Sequence, residues 1–194
     1  MLCLLKKEIK EVIYDYKSWL AVLISIVLPY LLSYTGKEEA TCFYISIVLS
    51  CISQYIYNSF LSDTKTRGII FVYNLESKTV KIFIAKVFVA IVLLVIIFIF
   101  NITYILEYVP LINIIWIVFF LITTIAIMYF TAMFSQSSET TSTVITLSIV
   151  FGITFFLWNL DLIILKIGIS LVSAILMSFI AIKTADSLIY RQQL

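Results

Sequence analysis

The sequence predicts an all-α integral membrane protein, with an N-terminal amphipathic interfacial helix followed by six transmembrane helices. Three observations carry that expectation. Of the 194 residues, 63% are apolar, where a soluble domain averages about 45–50%, and 12% are charged, about half the usual share. The apolar residues fall into six runs separated by short charged or turn-forming stretches. The basic residues sort to one side of that pattern. Six spans of roughly 20 residues use about 120, which leaves no room for a second domain, so residues 1–194 read as a single transmembrane domain.

The first element, within residues 1–18, has Leu5, Ile9, Val12, Ile13 and Tyr16 at helical spacing and Lys6, Lys7, Lys10, Glu11 and Lys17 on the other face, the pattern of a helix lying in the membrane interface. Glu8, Glu11 and Asp15 follow the first lysines and no small-x-small cleavage site follows the apolar run, so it reads as retained rather than as a signal peptide. The six spans are then Trp19 to Tyr34, Thr41 to Leu61, Ile82 to Ile105, Leu111 to Phe134, Thr141 to Trp158 and Leu162 to Ile182. Pro29 predicts a kinked or shallow first span. The breaks are Gly36 to Glu39, the 62–81 segment, Glu107 with Pro110, Ser135 to Glu139, and Asn159 with Asp161. The last connection is so short that the fifth and sixth spans form either a hairpin or a pair flanking an interfacial stretch, Leu160 to Ile167, from which Lys166 snorkels outward.

With both termini and every second loop on the cytoplasmic side, Lys6, Lys7, Lys10, Lys17, Lys65, Arg67, Lys78, Lys81, Lys86, Lys183 and Arg191 lie inside, and of the 13 basic residues only Lys37 and Lys166 lie outside. That is the bias by which positive loops stay in the cytoplasm. The expectation is a multi-pass cell-membrane protein with a cytoplasmic tail at 183–194. Its outer loops are too short to form an ectodomain.

Composition also limits the chemistry. There is no histidine, which removes the commonest general base and zinc ligand. A net charge of +2 gives no footprint for nucleic acid. The cysteines Cys3, Cys42 and Cys51 make no paired framework, since the last two sit nine residues apart on one helix, about 13 Å by helical rise. No acidic residue falls inside a span except at its ends, which weakens the reading of a small carrier driven by an ion gradient. The polar side chains left within spans are chiefly amides and hydroxyls. Gln54, Asn58, Asn101 and Asn113 are the candidates for a substrate path, against the plainer role of hydrogen bonds between helices, worth of order 1 kcal/mol each.

The one substantial loop, SDTKTRGIIFVYNLESKTVK from Ser62 to Lys81, holds an apolar core, Ile69 to Val72 with Leu75, between charged ends. Periodicity alone fits a short helix lying against a partner and an extension of a neighbouring span equally well. Here the order of parts resembles the membrane subunit of a type-2 ABC (ATP-binding cassette) transporter. Those permeases have an amphipathic connecting helix, six spans with both ends cytoplasmic, and a coupling helix between spans two and three. The matching stretch is Asp63, Lys65, Arg67 and Gly68, then Ile69 to Leu75, Glu76-Ser77-Lys78 and Ile82 to Lys86. It departs from the family pattern in having Ile69 for the usual threonine, Phe71 where an acidic residue is common, and no proline.

The resemblance implies that Arg67, Gly68, Ile69, Phe71, Val72, Leu75 and Glu76 form an ATPase-coupling surface. It implies partners: separate ABC ATPase subunits, which bring ATP and Mg, and a second permease copy or a sister permease, all in the lipid bilayer. This chain has no GxxxxGK[ST] phosphate loop, so it is expected to hold no cofactor and to be no enzyme. The expected function is that of the permease subunit of an ATP-driven exporter moving an amphipathic peptide, a lipid or a hydrophobic drug outward, with antimicrobial-peptide export or immunity as the implied setting. The alternative is a non-transporting membrane protein, such as an immunity or scaffold protein.

Overall fold

The computed structural model describes the backbone of residues 2–14, 16–32, 37–65, 79–134 and 139–193, and the side chains of 4–14, 20, 22–29, 40–60, 79–132 and 148–187. Among these residues the chain is helical, without a strand: α1 (Leu2–Tyr14), α2 (Tyr16–Leu32), α3 (Lys37–Lys65), α4 (Thr79–Phe100), α5 (Ile102–Tyr108), α6 (Leu111–Phe134), α7 (Glu139–Trp158) and α8 (Ile163–Gln193). Ile- and Val-rich runs such as α4 favour strands by propensity. In a bilayer, however, each backbone N–H and C=O must find its partner within the segment, and the helix wins. Among the described residues, four helical segments, Ala40–Phe60, Thr79–Phe100, Leu111–Ala132 and Ile163–Ser187, are long and apolar enough to cross a membrane.

Helix α3 is the axis of the bundle, touching α2, α4, α5, α6 and α7. Of its apolar segment 78% is buried inside the protein, against 17% for α8 at the periphery. Burial of Tyr44, Ile45, Val48, Leu49, Ile52, Ile56 and Tyr57 shows a helix enclosed on most sides. Helix α6 is buried round much of its circumference, by Trp116, Ile117, Phe120, Leu121, Thr124, Ile125, Met128, Tyr129 and Ala132 and, on the other side, by Thr123 and Ala126. Helix α8 packs chiefly on α6, and its buried side chains Ser170, Ala174, Ala181 and Ala185 are small. Such small side chains let two backbones approach in an apolar medium, and a Thr123–Ser173 hydroxyl contact of 3.1 Å crosses the same seam.

Two boundaries differ from the sequence expectation, and the arrangement of the last two helices, left open there, is resolved. The third predicted span is broken at Asn101, whose side-chain amide donates to the Ile97 carbonyl (3.1 Å) that also accepts its own backbone N–H (3.1 Å). That local competition ends α4, and the chain resumes as the short α5. The tail beyond Ile182 continues as helix to Gln193. After the Asn159–Leu162 turn, α7 packs on α3 while α8 packs on α6, so the two helices diverge. Lys166 does not reach outward. It is 9% exposed and donates to the Trp158 carbonyl at 2.9 Å, capping the end of α7 where the helix dipole is negative.

Candidate functional site

Both legs of the 66–78 connection pass through one buried charge cluster. Helix α3 brings Ser59 there, six residues before Lys65, and α4 brings Lys86, seven residues after Thr79, so each lies about 10 Å along its helix from the connection. Helix α1 supplies the counter-charge. Lys86 is fully buried and its ammonium donates to both carboxylate oxygens of Glu8 at 2.9 Å, with Glu8 1% exposed. Lys86 also donates to the Ser59 hydroxyl. That hydroxyl in turn donates toward Glu11, 2.9 Å away, with Glu8 at 3.2 Å. Lys7 closes the cluster against Glu11 at 3.2 Å. Among the described residues, Lys7 and Lys86 thus face Glu8 and Glu11.

An aromatic floor underlies it. The Lys86 ammonium sits 4.8 Å from the centre of the Phe60 ring, a cation–π contact in a desolvated place. Phe60 stacks on Tyr129 at 4.2 Å, and Phe83 leans on the same tyrosine at 5.8 Å. One end of the bundle thus joins α1, α3, α4 and α6 in a single contact set. Nearby, Thr79 at the start of α4 donates to Asp186 on α8. The opposite end is fastened separately by Thr41 with Tyr104 (3.2 Å), Tyr44 against Tyr104 and Trp116 against Trp158.

Helix α1 turns Leu4 and Glu8 into the bundle and leaves Ile9 and Ile13, from the face expected in the membrane interface, exposed. Lys86 is the reason: a lysine within an apolar helix requires an anion, and Glu8 supplies it. Sequence reasoning placed Lys86 among the cytoplasmic lysines and Glu8 outside the spans. The available signal was a lone lysine five residues into a predicted span.

The amides proposed for a substrate path do not converge. On α3, Gln54 and Asn58 are half-buried and pair with each other, Nε2 to Oδ1 at 3.4 Å, while the Gln54 amide oxygen is buried with no hydrogen-bond partner among the described residues. Asn101 donates to the Tyr44 hydroxyl (3.0 Å) and the Ser25 carbonyl (3.3 Å), and Asn113 accepts from the Trp116 indole (3.1 Å). Both serve links at the end opposite the charge cluster. A cleft between α3 and α7 is lined by Cys42, Phe43, Ser46, Phe151, Phe155, Trp158 and Asn159, and none of the four amides is among its lining residues. Arg67, Gly68, Ile69, Phe71, Val72, Leu75 and Glu76 lie outside the described residues.

Among the described residues no group of His, Cys, Asp and Glu is arranged to hold a metal ion. The lysines and glutamates of the cluster are turned on one another, which suits a mechanical joint: it fixes the spacing of two helices and a third element without presenting a reactive group. Compared with known proteins, the chain matches no family model, no curated protein and no solved structure.

Proposed function

We propose that the chain is the permease subunit of an ATP-driven ABC exporter, with six transmembrane helices, both termini in the cytoplasm, and the 66–78 connection as its contact with separate ATPase subunits. The observation that carries this reading is the Glu8–Ser59–Lys86 cluster. A loop that receives force from an ATPase transmits it only if its two legs move together, and the cluster ties both legs to α1 and, through Phe60 and Tyr129, to α6. Two permease units, identical or sister chains, enclose the path. The cargo is an amphipathic peptide, a lipid or a hydrophobic drug, in keeping with a bundle whose interior is mostly apolar.

The test is to replace Phe71 and Leu75 by Asp, one at a time, and to measure membrane level, co-purification of a co-expressed ATPase and substrate-stimulated hydrolysis. Burial of a large apolar side chain contributes about 1.5–3 kcal/mol, so each variant should insert normally and lose most ATPase binding or coupling. Normal insertion with full coupling in both overturns the reading. The second reading, a non-transporting immunity or scaffold protein, is favoured by the internal pairing of Asn101 and Asn113, which leaves those amides structural. Recovery of the intact membrane particle without an ATPase supports it.

A further inference from the structure

A second feature of α1 lies outside the charge cluster. Where α1 leans on α2 and α4, it leaves a groove lined only by apolar side chains: Ile9, Val12 and Ile13 from α1, Val22 from α2, and Phe88, Val92 and Ile96 among those from α4. The groove opens sideways, because Ile9, Ile13, Phe88 and Val92 are each 40% or more exposed. It holds no polar atom to orient a soluble ligand. Its rim is charged on one side. Lys6 stands three residues before Ile9 and Lys10 three before Ile13, so both lysines border the α1 wall of the groove. Both are exposed, and neither enters an ion pair among the described residues. The cluster of Glu8 with Lys86 fixes the wall opposite α4, so the groove is a standing feature of the fold.

From this we infer that the groove is a binding site for one anionic phospholipid, with an acyl chain between α1 and α4 and the headgroup phosphate at Lys6 and Lys10. The occupant follows from the pairing of an all-apolar, side-open trough with a basic rim one helical turn away, a combination matched by an acyl chain joined to an anion. A neutral lipid satisfies only the trough, and a free phosphate only the rim. The inference needs a bilayer but not transport, so it stands independently of the exporter reading.

The experiment is native mass spectrometry of the purified chain from micelles doped with equal amounts of phosphatidylglycerol and phosphatidylcholine. The wild type should retain one phosphatidylglycerol in preference to phosphatidylcholine. Each basic residue near an anionic headgroup is worth about a fivefold preference, so Lys6→Gln or Lys10→Gln should lower the ratio about fivefold and the two together about 25-fold. Lys183→Gln on α8, which removes a charge elsewhere, should leave it unchanged. Val92→Trp, which fills the trough, should reduce retention of both lipids. A ratio unaltered by the Lys6/Lys10 pair, or lowered equally by Lys183→Gln, overturns the inference. If Val92→Trp fails to fold, the surface lysine variants decide alone.

Discussion

Lys86 is the residue on which the loop end of the bundle depends. A buried charge that loses its partner costs about 3–5 kcal/mol, whereas replacing both partners by apolar residues of similar size is often neutral or stabilising. Glu8→Met and Lys86→Met should therefore each lower stability in detergent by that amount, and the double variant should recover most of it. Equal losses in the single and double variants would show that the side-chain volumes, not the charges, matter. Ser59→Ala removes the hydroxyl that accepts from Lys86 and donates toward Glu11, and should cost about 1–3 kcal/mol by the same measurement. Two glycines predict the opposite sign. A Cβ at Gly152 or Gly168 meets nothing within 4 Å, and both lie in helix interiors, so Gly→Ala at either should stabilise by about 0.5–1 kcal/mol.

At the scale of elements, the seam between α6 and α8 rests on side-chain size. Ala174→Leu or Ala181→Leu forces the helices apart and should cost about 1–3 kcal/mol in thermal unfolding, while Leu176→Ala, 55% exposed on another face, should change it little. That seam also shows what the sequence made legible. Long apolar runs ended by charges placed the helices α6 and α7 to within two residues, because such runs are read from length and composition alone. The break at Asn101 and the inward turn of Glu8 were not legible. The first turns on a local contest at the Ile97 carbonyl that apolar periodicity does not register, and the second on partners dozens of residues away in the sequence, Lys86 and Ser59. Helical periodicity identifies a polar face. It does not say whether water or a buried lysine waits opposite.

For the whole molecule, the orientation inferred from the charge split is open to direct measurement. In a cysteine-free background, a cysteine at position 37 should react with an impermeant reagent added outside, while cysteines at 7 and 190 should be protected. The reverse pattern inverts the proposed topology. The contrast between α3, mostly enclosed, and α8, mostly exposed, bears on assembly as well. Peripheral placement makes α8 the helix most readily offered to lipid or to a second subunit. Native mass spectrometry under transport-preserving conditions should find two permease and two ATPase subunits, and a lone chain there would refute the paired exporter.

The Glu8–Lys86 pair also sets an order on biogenesis. The two residues are 78 positions apart, so when α1 leaves the ribosome its partner has not been synthesised. Until then the nearest counter-charge to Glu8 is its neighbour Lys7, at 3.8 Å, so α1 is expected to stay at the aqueous boundary until Lys86 is made. Nascent chains arrested before that residue should keep α1 open to added protease, and chains arrested soon after α4 has emerged should protect it; equal protease access in both would show that docking of α1 does not wait for Lys86.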